Sequence, residues 1–345
     1  MRVLPHSRRI RGAAVRGPAE WTTGRGRSTI GNHATTSARH RPPAAAGRGG
    51  PGPGRLPAAG ADAPGTVRGY LLSRFPASAP ELEELFAAGG IVDDAGRPLP
   101  HDAPLRPGGS VWYHRALPEE PELPGDLPVL FEDEWLLAVD KPHGLPTTPR
   151  GGFVAQSALV KLRRSRREDR LSPLHRLDRG TAGVLLLSRD PGTRGRFQTL
   201  FQERAVAKEY EAVAAHRPGL RLPRLVESRI VKDRTSLQAR EVPGPVNART
   251  QVESAGPPFA DEEGTWARYV LRPETGRTHQ IRVHLAGLGV PVRHDPLYPQ
   301  VRPAGAEDPG RPLQLLARRI ALVHPVTGEP LVLESRRALM PGDAA

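Results

Sequence analysis

The sequence predicts an α+β fold in which a mixed, mainly antiparallel sheet carries flanking helices. Uninterrupted apolar runs, such as residues 184–187, are typical of buried strands. Other apolar residues recur at helical spacing, as do Phe197, Leu200 and Phe201. Strand-like and helix-like segments follow one another without the regular alternation of βαβ units, and this irregular order favours a mixed sheet.

The first part of the chain is predicted to be a disordered tail, residues 1–65. It consists of Arg, Gly, Pro, Ala, Ser and Thr with almost no large apolar residues, so it cannot bury enough surface to fold. Eleven arginines and one acid, Glu20, give residues 1–60 a charge of +10, out of +13 for all 345 residues. Three interpretations stay open: an RNA-tethering tail, an organelle transit peptide, or an over-extended gene start that is not translated.

The pattern of residues 66–115 predicts a small α/β module. Residues 116–126 are predicted to form an acidic, Pro-rich linker. Two short helical patterns are followed by strands at 91–92 and 111–113. This order resembles an S4-like RNA-binding module, and a structural appendage of the next domain is the alternative. The helical patterns comprise Val67, Tyr70, Leu71, Leu72 and Phe75, and then Leu82, Leu85 and Phe86.

A larger domain is predicted over residues 127–337, followed by a C-terminal tail at 338–345. Residues 216–265 are rich in Pro and Gly and are predicted to hold loops and strands, without a recognisable motif. The predicted strands are 129–131, 135–139, 184–187, 206–213, 266–271, 313–323 and 330–334, and the predicted helices are 157–167, 193–204 and 279–288.

Composition excludes several classes of protein. The chain has no cysteine, which excludes disulfides, iron–sulfur clusters and cysteine-based zinc sites and fits a reducing compartment. It has no apolar run of about 18 residues, so no transmembrane helix is predicted. The N-terminus lacks the apolar region of a secretory signal. We therefore expect a cytoplasmic monomer without membrane contact.

The most informative segment is residues 175–187. It places Asp178 between Arg176 and Arg179, directly before a turn of small residues and an apolar run. A carboxylate at the mouth of a buried element can be held rigidly. On local physics alone, Asp178 could equally be a turn residue beside two solvated arginines.

This segment, His-Arg-Leu-Asp followed by a Thr-small-Gly turn and a leucine-rich run, resembles the signature of the RluA family of RNA pseudouridine synthases. Three further segments agree with that family in order and separation: 138–146 (AVDKPHGLP), 207–213 (AKEYEAV) and 275–286 (TGRTHQIRVHLA). The resemblance covers residues 127–337. It implies an isomerase that forms pseudouridine in structured RNA, with ribosomal RNA preferred over transfer RNA because an S4-like module accompanies the domain.

The implied reaction breaks the N1–C1′ bond of uridine and rejoins the uracil through C5, so it requires no cofactor and no metal. The resemblance implies that Asp178 is the catalytic carboxylate, that Arg277 pairs with it, and that Tyr210 stacks on the base and assists removal of the C5 proton. Arg176 is expected to enter the space that the uridine leaves. A covalent and a glycal mechanism both remain open.

RNA contacts are predicted from cations near these motifs and from the basic end of the helix at 157–167. For that helix end, a solvated terminus that complements the helix dipole is the alternative. The predicted RNA-binding residues are Lys161, Arg163, Arg164, Arg176, Arg179, Lys208, His279 and Arg282.

Other functions fit the sequence less well. A metal site from His279, His284, His294 and Asp295 is disfavoured, because neither a helix nor a strand makes co-ligands of histidines five residues apart. A hydrolase triad around His175 lacks the Gly-x-Ser-x-Gly elbow.

A catalytically inactive RNA-binding relative that acts in ribosome assembly is the alternative function. Against it, Asp178, Tyr210 and Arg277 are all present. The chain departs from the family pattern at Ala182, where Ser is usual, and at Arg293, where a small residue is usual. Neither departure removes a reacting group, but a bulky cation at 293 could affect substrate choice.

Overall fold

The computed structural model describes residues 54–55, 65–93, 95–105, 111–113, 120–150, 152–233, 235–254, 256–303 and 308–340. The tail predicted at residues 1–65 lies outside the described residues, apart from 54–55 and 65, and so do residues 341–345. No helix in the described ranges is both long enough and apolar enough to span a membrane.

Two short helices and two small strands lie in the region predicted as an α/β module, residues 66–115, and a third strand, at residues 54–55 of the predicted tail, pairs with them. Thr66 caps the first helix by accepting a hydrogen bond from the Gly69 N–H. Both helices pack on one apolar cluster that includes Leu71, Phe86 and Ile91. The elements are α1 (Val67–Arg74), a 3₁₀ turn (Pro76–Ser78), α2 (Ala79–Ala87), and the antiparallel strands β1 (Gly54–Arg55), β2 (Ile91–Val92) and β3 (Trp112–Tyr113).

The rest of the described chain builds one large sheet with three helices. The helices are α3 (Ala158–Arg166), α4 (Arg194–Gln202) and α5 (Gln280–Gly287). The strands are β4 (Val129–Glu132), β5 (Leu136–Lys141), β6 (Ser172–Pro173), β7 (Ala182–Ser188), β8 (Ala207–Ala215), β9 (Arg224–Val231), β10 (Arg240–Val242), β11 (Ala248–Ser254), β12 (Phe259–Asp261), β13 (Gly264–Pro273), β14 (Leu315–Val323) and β15 (Pro330–Glu334).

The order of strands across this sheet is β10, β9, β11, β13, β8, β14, β7, β5 and β4, with β12 on β13, β15 on β14 and β6 on β7. Among these described strands, β7 and β14 alone run parallel, and every other pair is antiparallel. The predicted α+β class, with a mixed and mainly antiparallel sheet, is therefore confirmed for this part of the chain.

Strands β5 and β7 are buried along their whole lengths because both faces are covered. Leu137 and Val139 pack on one face in a cluster with residues of α3. Leu136 and Ala138 pack on the other face in a cluster with Phe197 of α4. The alternation of side chains along a strand thus produces two separate apolar layers from one continuous apolar run.

Close contact between β7 and β14 depends on Gly183. Its φ is +111°, and a Cβ atom at this position would lie 2.2 Å from the Ala317 carbonyl oxygen. Glycine is therefore required both for the backbone conformation and for the approach of β14. Because β7 begins directly after the turn that carries Asp178, this contact helps to fix where that turn ends.

Candidate active site

A cavity with a volume of about 1860 Å³ opens at the start of β7. Ten arginines and lysines line it, against five carboxylates. A cleft with an excess of positive charge attracts polyanions. The ten cations are Arg150, Arg176, Arg179, Arg204, Lys208, Lys232, Arg277, Arg282, Arg302 and Arg311.

The turn that carries Asp178 is fastened to the loop that follows β5. The Thr147 hydroxyl donates to the Leu177 carbonyl (2.8 Å) and accepts from the Leu177 N–H (3.1 Å). The Nδ1 atom of His143 lies 2.7 Å from the Gly180 carbonyl oxygen and therefore carries the proton. These bonds hold the backbone on both sides of Asp178, so they set the position of the residue.

Lys141 supports the same turn from within the core, where its side chain is fully buried. Its Nζ donates to the carbonyl oxygens of Leu145 (2.7 Å), Pro142 (2.9 Å) and Arg179 (3.3 Å). These three acceptors match the three protons of an ammonium group. Burial lowers the pKa of Lys141 to about 7, against the opposing effect of the nearby Asp178 charge.

The Asp178 carboxylate is 29% exposed and faces the start of α5. Arg282 places Nη1 3.4 Å from Oδ2 of Asp178, and His279 places Nε2 3.9 Å from Oδ1. Burial lowers the pKa of His279, so its ring is mostly neutral near pH 7. Arg282 therefore provides the permanent positive charge beside the carboxylate.

The prediction that Arg277 forms an ion pair with Asp178 is wrong. The Arg277 side chain is exposed, and its Nε donates to the Asn247 carbonyl (3.1 Å) at the edge of the cavity. Arg282, five residues further along, makes the contact with Asp178 instead.

The start of α5 explains why Arg282, and not Arg277, contacts Asp178. The Gln280 Oε1 atom accepts hydrogen bonds from the Thr275 hydroxyl (2.7 Å) and the Arg277 N–H (3.0 Å), which folds the preceding segment onto the helix. His279 has a left-handed backbone (φ +57°) and forms the N-cap. Helical geometry therefore begins only at Gln280, and the first turn of α5 presents Arg282 to the cavity.

Arg282 is itself held rigidly. Its Nε and Nη2 atoms bind the two carboxylate oxygens of Asp295 at 2.7 and 2.6 Å, a bidentate arrangement. The Asp295 side chain has no solvent exposure and also accepts from the N–H groups of Leu297 and Tyr298. The guanidinium carbon lies 5.2 Å from the centre of the Tyr298 ring. Sequence reasoning missed these supports, although Asp295 and Tyr298 were visible just after the 275–286 segment.

Tyr210 lies on β8, lines the cavity, and packs against two of the apolar clusters. Burial and the negative charge of Asp178 raise the pKa of its hydroxyl well above the usual value. The neutral phenol is therefore strongly favoured, which suits a residue that stacks on a base or donates a hydrogen bond. It makes Tyr210 a poor proton acceptor.

Five of the eight predicted RNA-binding residues line the cavity, together with Arg277. Arg176 is exposed, and Lys208 is half-buried with its Nζ bound to the Thr275 carbonyl (3.2 Å). Arg282 is bound by two carboxylates, so its side chain belongs to the interior of the site. The five are Arg176, Arg179, Lys208, His279 and Arg282.

The other three predicted RNA-binding residues, on α3, do not line this cavity. Lys161 donates to the Leu123 carbonyl (3.1 Å), and Arg163 donates to the Leu171 carbonyl (2.7 and 3.1 Å). Arg164 is exposed on the same helix. Lys161 and Arg163 therefore join neighbouring segments to α3, and contact of this helix with RNA stays a prediction.

The histidines considered as metal ligands have separate partners. His284 lies between the hydroxyls of Thr250 (2.9 Å) and Ser228 (3.0 Å), while His294 contacts Glu263 (2.9 Å). Among the described residues, no three His, Asp or Glu side chains are grouped as metal ligands would be.

Comparison with known proteins agrees with this geometry. Residues 135–287 match the family model described as RNA pseudouridylate synthase. An uncharacterized RNA pseudouridine synthase of Synechocystis is 36% identical over 211 residues, which cover 61% of this chain and 71% of that protein. The dual-specificity RNA pseudouridine synthase RluA of Salmonella typhi is 30% identical over 217 residues, which cover 63% of this chain and 94% of that protein.

A solved structure supports the fold. Human RNA pseudouridylate synthase domain containing 1 aligns with a TM-score of 0.50 and 23% identity, over 65% of this chain and 86% of that chain. At this identity the likeness concerns the fold alone, and it fits the mixed sheet with few helices. Sequence similarity to the curated relatives carries the assignment further: the chain belongs to the RluA-type family of RNA pseudouridine synthases.

Proposed function

We propose that the protein isomerises selected uridines in structured RNA to pseudouridine, with Asp178 as the catalytic carboxylate. One observation carries this proposal: a partly exposed carboxylate lies 3.4 Å from a buried arginine in the wall of a cavity that ten cations line. The reaction needs a carboxylate close to C1′ and C6 of a base that has left its stack. The cations provide contacts for the phosphates on either side of it.

In the proposed mechanism, the target uridine leaves the RNA stack and enters the cavity beside Asp178. The carboxylate either displaces the uracil by bonding to C1′ or removes a sugar proton to give a glycal, and the N1–C1′ bond breaks in both cases. The uracil turns and C5 bonds to C1′, while the Asp178–C1′ bond breaks or the sugar proton returns from the carboxyl group. Loss of the C5 proton, with protonation of N1, completes the isomerisation. Arg282 stays in place during these steps because Asp295 holds it, so the carboxylate needs no rearrangement to keep its counter-ion.

Tyr210 is proposed to stack on the uracil and to keep it in the cavity while it is detached. The raised pKa of its hydroxyl argues against the phenolate as the base that removes the C5 proton. We therefore assign proton removal to a group other than Tyr210. Replacement of Tyr210 by Phe is expected to preserve stacking, and any loss of turnover reports a hydrogen bond from the hydroxyl.

The substrate is proposed to be ribosomal RNA, acted on in the cytoplasm by a monomer. The support is limited to the S4-like element order of residues 66–115, which precede the linker at 116–126 and the catalytic domain at 127–337, and to the absence of cysteine. Transfer RNA is the other candidate. An inactive RNA-binding relative is disfavoured, because the carboxylate, its arginine and the cavity tyrosine are all in place.

Deletion of the gene tests the function and identifies the substrate together. Pseudouridines in ribosomal and transfer RNA are mapped as carbodiimide-dependent stops of primer extension, with and without the gene. We expect one or more stops to vanish on deletion and to return with the wild-type gene. Asp178→Asn should not restore them, whereas Asp169→Asn, which changes an exposed carboxylate outside the cavity, should. Restoration by Asp178→Asn would refute the assigned role.

A further inference from the structure

Leu237 is an exposed apolar side chain in the wall of a strongly charged cavity. It is 65% exposed, the highest value among the large apolar side chains of the described residues that are exposed. It lies in the loop between β9 and β10 and lines the cavity near Lys232 and Ser236. A leucine in this position contributes little to the free energy of folding, because most of its surface remains in water.

The loop presents this side chain on a well-bonded backbone. At its start, Lys232 Nζ donates to the carbonyls of Asp233 (3.1 Å) and Ser236. After Leu237, the Gln238 N–H donates to the Ser236 hydroxyl (3.1 Å), which in turn donates to the Gln238 carbonyl (2.9 Å). These bonds on both sides of Leu237 reduce the entropy that the loop would lose on binding.

The far end of the loop contacts Tyr298, which packs against Arg282. The hydroxyl of Tyr298 accepts from the Ala239 N–H (2.7 Å), and the ring of the same tyrosine packs against Arg282, the partner of Asp178. The side chain of Gln238 adds a bond to the Pro299 carbonyl (3.3 Å). The position of Leu237 is thus linked to the position of the reacting carboxylate.

We propose that Leu237 packs against a nucleobase next to the target uridine in the RNA substrate. This inference rests on the proposed function. When a uridine leaves its stack, the bases on both sides of it each lose a partner. Arg176 is expected to enter the space beside one of them, and an apolar side chain on a bonded loop covers the face of the other. The cations around the cavity bind phosphates, which do not distinguish a stacked base from an unstacked one. Leu237 therefore supplies an apolar contact that these cations cannot make.

The test compares Leu237→Ala with Leu225→Ala, which removes a leucine that is 42% exposed on β9 and absent from the cavity wall. The probe is bulk RNA labelled with [5-³H]uridine from cells that lack the gene. Release of tritium measures turnover. Filter retention of the same RNA, in an Asp178→Asn background at several salt concentrations, measures binding without turnover.

We expect Leu237→Ala to lower kcat/KM and binding by about tenfold. The dependence of binding on salt should stay unchanged, because no phosphate contact is removed. Leu225→Ala should leave both quantities at wild-type values. Leu237→Lys should also lose turnover, whereas a purely electrostatic role of this loop would make the added cation tighten binding. Melting temperatures of all variants should match that of the wild type, since both leucines are exposed.

Wild-type turnover and binding in Leu237→Ala would overturn the inference, and so would an equal loss in Leu225→Ala. A changed salt slope would also overturn it, because the loop would then act through phosphates. Failure of the proposed function looks different: the wild type would release no tritium. The binding comparison between Leu237→Ala and Leu225→Ala would still decide whether Leu237 contacts RNA.

Discussion

Two parts of the molecule hold Asp178, and they do so by different means. One support consists of the last residue of β5, Lys141, with His143 and Thr147 of the loop after it, and all three bind backbone groups of the turn. The start of α5 uses Arg282, which meets the carboxylate itself. The first support acts on the position of the residue, and the second acts on the orientation and charge of its side chain.

The difference matters because breaking the two supports should lower the free energy of unfolding by different amounts. Hydrogen bonds to backbone groups are neutral or singly charged, and each contributes modestly to stability. The pair formed by Arg282 and Asp295 is buried and doubly charged, so removal of one partner leaves the other charge without compensation. Substitutions on the two sides should therefore give different ratios of lost activity to lost stability.

The largest effect is expected for Arg282→Met. This change removes the cation beside Asp178 and leaves Asp295 buried and unpaired, so we expect the free energy of unfolding to fall by about 3–5 kcal/mol. The rate constant kcat should fall by about 10³-fold. Urea unfolding and tritium release measure the two quantities. Arg277→Ala is the matched control, and it should reduce turnover by less than about tenfold because only contacts at the exposed edge change.

A double variant separates stability from charge on this side of the site. Arg282→Met combined with Asp295→Leu removes both buried charges, and we expect most of the lost stability to return. Turnover should stay at the level of the single variant, because the Asp178 carboxylate still lacks its cation. Recovery of turnover in the double variant would show that Arg282 acts only through folding.

A smaller effect is expected for Thr147→Val on the other support. The buried Leu177 carbonyl and N–H both lose their partner, which should lower the free energy of unfolding by about 1–3 kcal/mol. A displaced turn should reduce kcat by about 10²-fold, since Asp178 moves with it. Thr147→Ser keeps the hydroxyl and should restore both quantities. If Thr147→Val lost stability but kept its turnover, the turn would not position the carboxylate.

The smallest effect per residue is expected on acidification, which acts through His175 and His284. Burial lowers the pKa of His175, in the turn, to about 3 and that of His284, on α5, to about 4. Below about pH 6.5 the unfolded chain binds more protons than the folded one, so stability must decline as the pH falls. Each histidine contributes a slope of at most about 1.4 kcal/mol per pH unit. Urea unfolding at pH 6 and pH 5 should show the decline, and a flat profile would contradict it.

The predictable and unpredictable parts of this chain differ for physical reasons. Strands such as β5 and β7 are buried on both faces, so their apolar runs are unambiguous. Strands such as β9 are half-exposed and carry charged residues. The individual strands within residues 216–265 could therefore not be located from the sequence.

The site shows the same contrast. Resemblance to the RluA family, and not local pattern, singled out Asp178 and Tyr210, and both line the cavity. The partner of Asp178 could not be singled out in this way, because Arg277 and Arg282 lie in one short segment. The choice between them depends on where α5 begins, which the left-handed His279 and the side chain of Gln280 determine.

The parallel pairing of β7 with β14 has a consequence for how the protein is made. It joins Ala182 to Leu316, so the strand that follows the Asp178 turn completes its pairing with residues made much later. Ser335, later still, donates to Asp140, the neighbour of Lys141. A chain still being translated therefore lacks these structural elements around Asp178 until Ser335 has emerged. Catalytic competence should appear only after that point, and chains that terminate before Leu316 should be inactive.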